Sequence, residues 1–313
     1  MYIGNGAYCY ANSTSMLLKA YGEEVQPGLL EVLTGVGIGF TWEPDGMPFL
    51  HSASGAPDTG ISRALQVLGY SWQESACMDG ETYPLEQLRT MIASGPVVLG
   101  PLDMGYLDYI PNHRYLGGCD HYVLAYRLDD EYVYVHDPAG YPYSRLTLAQ
   151  LDLAWKGETI PYRRGTYRAW WMPERTASPT RDEVYEQTIS FFQGLYEQAE
   201  EAGRARGAIS GSAGLQKFRG VLLSGEVSEG LIGHMSHFLF QLGARRANDF
   251  AAYFEARHPE LSALKVQQAE LLGEAHGMTV RRDWQSLAEL LEQFGRVEEA
   301  FQRELLSIQV TQV

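Results

Sequence analysis

Apolar positions recur at helical spacing near the start of the chain, where Cys9, Ser13, Met16, Leu17 and Ala20 form one stripe and Gly22 follows as a stop. A second helix is expected from an Asp58/Thr59 cap through Ile61, Leu65 and Leu68 to Gly69. A third begins with Pro84 at a first-turn position, carries Leu85, Leu88 and Ile92 on one face, and ends at Gly95. Beyond it the helical period gives way to short apolar and alternating runs. Residues 96–99 read as a buried strand, and 121–128, 132–136 and 167–172 as further strands. Helices and strands without regular βαβ alternation predict an α+β arrangement.

From about Asp182 onward the pattern is helical throughout. Leu261, Leu264 and Leu271 mark one helix, and Trp284, Leu287, Leu291, Phe294, Phe301 and Leu305 follow an a/d rhythm that Glu298 interrupts. The stretch 173–181, PERTASPTR, reads as a linker. The expected organisation is therefore a catalytic-type α+β domain over 1–172, a linker over 173–181 and an all-helical domain over 182–313, with a bundle as the simplest helical solution.

Composition narrows the partners. Lys and Arg total 24 against 39 Asp and Glu, a formal charge of −15, and such a field repels nucleic acid and anionic membrane and favours neutral or cationic ligands. No apolar run reaches the ~20 residues of a membrane span and no signal-type start is present, so a cytoplasmic protein is expected. Cys9, Cys77 and Cys119 are too few and too scattered for a disulfide framework, and without CxxC spacing they offer no zinc site. No cofactor or metal is expected. The glycines of 34–40 lack a Gly-Lys-Ser/Thr ending and read as a cleft-lining loop.

The candidate chemistry is a thiol, an imidazole and a carboxylate in that order. Cys9 opens its helix, where backbone dipoles and an imidazolium partner would lower the thiol pKa, and the first-turn amides would face a developing oxyanion. His121 and Asp137 lie on the expected hairpin. Matching the small aliphatic residues of its two strands puts both on one face, provided the loop around Asp129–Asp130 holds an odd number of residues; a two-residue turn would separate them. Asp137 would then hold the imidazole as the carboxylate of a serine-type triad does. His136 and Cys119 are expected to be bystanders, and Tyr106, Tyr109, Tyr115, Tyr141 and Tyr143 to supply aromatic walls.

The run 9–22 (CYANSTSMLLKAYG) with 33–40 (LTGVGIGF) resembles the N-terminal module of the butirosin-biosynthesis acyltransferase family, and 211–223 its second domain. The run 121–140 (HYVLAYRLDDEYVYVHDPAG) also resembles the bacteriocin-processing peptidase domains of ABC transporters. This resemblance implies a papain-like fold and an antibiotic-biosynthesis type of acyl transfer, from a carrier-protein thioester through Cys9 to an amine on a small molecule or peptide. It assigns Cys9 as nucleophile, His121 as base and Asp137 as orienting acid. The peptidase relatives carry an oxyanion Gln where Ile3 stands here, leaving Asn5 as the nearest amide. The alternatives are a thiol peptidase or amidase and a non-catalytic papain-like binding protein. An acidic carrier would need a basic patch, for which Arg163, Arg164 and Arg168 are candidates.

Overall fold

The computed structural model describes residues 8–309. The chain forms two compact units, one comprising the residues up to Leu30 together with Pro57–Pro179, the other Glu31–Ala56 together with everything from Thr180 onward. In chain order, α1 (Cys9–Ala20) opens the first unit and α2 (Pro27–Thr34) carries the chain into the second, which receives β1 (Thr41–Trp42) and β2 (Pro48–Phe49). The first unit resumes with α3 (Pro57–Val67), β3 (Tyr70–Cys77), α4 (Leu85–Ser94), β4 (Val97–Asp103) and β5 (Asp120–Leu128). It finishes with β6 (Tyr132–Asp137), β7 (Tyr141–Thr147), α5 (Leu148–Lys156) and β8 (Thr166–Arg175). The second unit continues with α6 (Arg181–Arg206), β9 (Ile209–Ser210), α7 (Gly211–Ser224), α8 (Glu229–His234), α9 (Phe240–Phe254), α10 (Pro259–Arg281) and α11 (Trp284–Ser307).

The first unit is built on a six-stranded antiparallel sheet in the order β3-β8-β4-β5-β6-β7. Every residue of β4 is buried, as a central strand with both faces covered requires. One face packs Val97, Leu99, Val123, Val135 and Ala169 against Leu88 and Met91 of α4 and Leu151 and Trp155 of α5. On the other, Ser13 of α1 donates to the Tyr122 carbonyl (3.1 Å), and Trp170 donates its indole N–H to Ser62 of α3 (3.0 Å). α1 stops where its sequence says it should: the Tyr21 and Gly22 amides return to Leu18 and Lys19, and Gly22 takes φ 86°, a conformation only glycine adopts without cost.

The β5–β6 hairpin differs from expectation in a way that matters. Asp129 N–H bonds the Tyr132 carbonyl (3.0 Å), so the turn has two central residues, Asp130 and Glu131, with the Asp129 carboxylate accepting from the Glu131 and Tyr132 amides. The required odd residue sits in the strand instead. Leu128 pairs with Val133 and Arg127 with Tyr134, but Ala125 pairs with Val135 and Leu124 with His136, leaving Tyr126 as a bulge. That one extra residue shifts the register and returns His121 and Asp137 to a common face.

Two further expectations are corrected here. Segment 173–181 is not a free linker: β8 runs through Arg175, the Thr176 and Ala177 amides bond the Gly69 carbonyl (2.9 and 3.0 Å), and Thr180 caps α6 in a reciprocal capping box with Glu183. The first unit is also not the continuous stretch 1–172, because 31–56 carries apolar residues whose partners are in the helical unit. Phe40 and Trp42 pack on Phe218 of α7, with ring centroids 6.3 and 5.7 Å apart. Ile38 joins Phe192, Phe250, Phe254 and Phe301 in a second cluster. The Glu298 that breaks the α11 rhythm is explained by polar partners inside this unit, since it accepts from Tyr196 Oη (2.5 Å) and Gln268 Nε2 (2.6 Å).

Candidate active site

His121 stands at the second position of β5 and Asp137 at the last of β6. The imidazole donates Nε2–H to Asp137 Oδ1 at 2.8 Å, with both side chains buried. Asp137 is held from three directions: Oδ1 also accepts the Ala139 amide (2.7 Å), and Oδ2 accepts the Tyr109 hydroxyl (2.8 Å). Burial pushes its pKa up, but the His121 charge and these hydrogen bonds outweigh burial and hold the carboxyl below its usual range. Burial likewise works against the imidazolium, yet Asp137 beside it raises His121 well above 6.5. Asp137 thus favours the imidazolium form of His121, fixes the ring, and leaves Nδ1 for its other partner.

That partner is Cys9. The thiol and the His121 ring are hydrogen-bonded, and the Tyr122 backbone N–H also points at the sulfur. Cys9 is the first residue of α1, placed there by Tyr8 in the left-handed conformation (φ 59°), and its side chain is partly exposed. The first helical hydrogen bond runs from Asn12 N–H to Tyr8 O (2.8 Å), so the Cys9 amide lies ahead of the ladder. The expected lowering of the thiol pKa is not found. Burial raises it above 9.0, the His121 hydrogen bond and charge pull it back, and the Asp120 charge adds to the rise.

The uncharacterized protein YobF of Bacillus subtilis (strain 168) is 42% identical over 308 residues, covering 98% of this chain and 99% of its own length. The chain belongs to the YobF family. Residues 205–306, the end of α6 through most of α11, match the family of YobF C-terminal domains.

In this YobF-family chain the remaining sequence expectations divide cleanly. Asn5 lies outside the described residues, as does Ile3. Cys119 is exposed and Cys77 partly buried, and neither joins the His121–Asp137 pair. His136 points to the opposite face, stacked on Tyr126 (4.5 Å) and accepting the Tyr143 amide at Nδ1 (3.3 Å). Of the five tyrosines expected as walls, Tyr109 reaches the site through Asp137, Tyr141 packs on Tyr109 (5.8 Å), and Tyr143 packs on His136.

The three arginines singled out in the sequence have acidic partners. Arg164 Nε donates to buried Asp58 (2.8 Å), Arg168 is itself buried and pairs with Glu74, and Arg163 pairs with Asp79 (3.2 Å). All three cations are ion-paired within the first unit. The glycines of 34–40 belong to the second unit, where a Cβ at Gly37 would stand 2.7 Å from the Phe250 ring. His234 donates Nε2–H to the Pro48 carbonyl (2.7 Å), and no group of three or more His, Cys, Asp or Glu side chains placed to hold a metal ion occurs among the described residues. No helix among the described residues is long and apolar enough to cross a membrane.

Proposed function

We propose that the first unit is a papain-like cysteine enzyme that moves an acyl group from a thioester to an amine in the cytoplasm. The observation that supports it most is the hydrogen-bonded series Cys9–His121–Asp137, drawn from a helix N-terminus and two strands. In the first step the Cys9 thiol loses its proton to solvent, the thiolate attacks the thioester carbonyl, the bond to the donor sulfur breaks, and the His121 imidazolium gives that sulfur a proton. In the second, an amine attacks the acyl-enzyme, loses its proton to His121, and leaves as an amide while Cys9 is regenerated. The first-turn amides of α1, ahead of the helix ladder, are the backbone donors offered to the oxyanion in both steps. Butirosin-type chemistry, with a carrier-bound donor and a small amine acceptor, is the form of the reaction that the sequence resemblance favours.

The experiment is incubation with acyl thioesters of N-acetylcysteamine followed by intact and peptide mass analysis. An acyl adduct on the Cys9 peptide that disappears when an amine is added, with the amide as product, is the expected result. Disappearance at the same rate without amine would make the enzyme a hydrolase. No adduct with any thioester would remove the transfer reading.

A non-catalytic papain-like binding protein is the second reading, favoured by the raised thiol pKa. The two readings part on pH. Since only thiolate reacts, Cys9 acylation should rise about tenfold per pH unit from 7 toward 9 without levelling, in a Cys77→Ser/Cys119→Ser background. A plateau below pH 8 would show that His121 overcomes burial; no acylation at any pH, with alkylation preserved, would favour the binding protein.

A further inference from the structure

Asp120 is used by nothing in the mechanism above, although it precedes His121 and begins β5. Its cross-strand partner is Asp103. The two carboxylates have different fates. Asp103 is buried and saturated: Oδ1 accepts the Gly105 (2.7 Å) and Gly118 (3.2 Å) amides, and Oδ2 accepts Thr159 Oγ1 (2.5 Å). Asp120 is only half-buried, and its Oδ2 accepts the Tyr162 hydroxyl (2.7 Å) while, among the described residues, Oδ1 accepts no hydrogen bond.

Strand alternation puts Asp120 and Tyr122 on one face. That face meets α1: the Tyr10 and Tyr122 rings lie 5.8 Å apart, and Ser13 bonds the Tyr122 carbonyl. Tyr162 joins the two strand residues, touching Tyr122 Oη at 3.1 Å as well as Asp120. Cys9 is the first residue of that same helix, with its sulfur against the Tyr122 amide. A carboxylate with an unused oxygen, braced by a tyrosine, thus lies on the sheet face that meets the helix headed by Cys9, within electrostatic reach of its sulfur.

We propose that Asp120 is a substrate-recognition residue, binding an ammonium or guanidinium group on the molecule brought to Cys9. The proposal rests on the thiol reading above and specifies the class of substrate that reading leaves open. It has a second consequence. The Asp120 charge is one of the influences that raise the Cys9 pKa, so a cation seated on it would relieve that influence and favour thiolate when substrate is present.

The test needs no turnover. In a Cys77→Ser/Cys119→Ser chain, the rates at which Cys9 reacts with 2-aminoethyl methanethiosulfonate and with neutral propyl methanethiosulfonate are compared, each normalised to free cysteine. The ratio cancels the resting thiolate fraction and isolates the cation. A preference of about tenfold for the ammonium reagent is expected, roughly one unit charge a few ångströms away in a partly screened site. Asp120→Asn should bring the ratio close to one, and Tyr162→Phe, which keeps the charge, should retain it. If Asp120→Asn does not fold, the wild-type ratio decides, since it must collapse as salt rises from about 10 to about 500 mM. A normalised ratio near one in the wild type, or an unchanged ratio in Asp120→Asn, overturns the proposal. The thioester experiment separates the two ideas: acylation of Cys9 without cation preference refutes only the role of Asp120, whereas cation preference without acylation refutes only the transfer. Matched thioesters and amines with and without a positive charge then tell whether donor or acceptor carries it.

Discussion

Asp137→Ala is expected to destabilise the first unit by about 3–5 kcal/mol near pH 5–6, because it leaves a buried imidazolium without its counter-ion. The motive is the 2.8 Å contact between two buried side chains. The sign of the pH dependence follows from both shifts. His121 is raised above 6.5 in the fold, so its contribution is complete below that value and fades as pH climbs through the folded pKa. Asp137 is depressed below 3.8, so its contribution is complete above that value and fades as pH falls through the folded pKa. The cost should therefore be greatest between the two and shrink toward acid and alkali, as read from urea titrations across pH. A cost that is flat with pH would mean the pair is not ionic. Cys9 reactivity in the same variant should fall about 10³–10⁴-fold, the scale on which triads lose rate when the orienting group goes. Asp137→Asn is the informative contrast. Its amide oxygen can still accept Nε2–H, so orientation survives while the charge is lost, burial then lowers the His121 pKa, and without the imidazolium that pulls the thiol pKa down the rate profile should move toward higher pH.

Arg246→Ala should cost the second unit a similar amount, about 3–5 kcal/mol. Arg246 Nε lies 2.7 Å from Glu31 Oε1, and Glu31 is fully buried. Truncating the guanidinium takes a cation from a carboxylate that burial penalises. The double variant Glu31→Leu/Arg246→Met tests whether the pair or the space matters: it should cost less than the single change, since two apolar side chains avoid the desolvation that the ions bear. Equal losses in single and double variants would show that packing around the stems, not charge, is what the pair contributes.

The sequence carried the triad because its clues are local. Cys9 heads an amphipathic stripe ended by Gly22, and the strands bearing His121 and Asp137 alternate clearly, so element and face could both be read. What was not legible depends on distance or on solvent. Nothing in the tyrosine-rich run around Tyr126 marks it as the bulged residue, and the count that aligns His121 with Asp137 was therefore assigned to the loop. Tyr109 contacts Asp137 from 28 positions away, and its run of loop tyrosines gave no sign of which one would do so. The thiol pKa went against expectation because helix dipole and imidazolium could be seen in the sequence, while burial and the neighbouring Asp120 charge could not. The surroundings of the arginines were hidden for the same reason: charge is visible in a sequence, and pairing with Asp58 and Glu74 is not.

The passage of 31–56 into the helical unit has a practical outcome for anyone dissecting the protein. The chain passes between units three times, after Leu30, after Ala56 and after Pro179, so no single scission yields both in whole form. A fragment ending after β8 would keep Phe40 and Trp42 but lose the Phe218 ring they rest on, and should be sticky and prone to aggregate. Soluble expression of the thiol-bearing half calls instead for excising 31–56 and bridging Leu30 to Pro57 with a short polar tether.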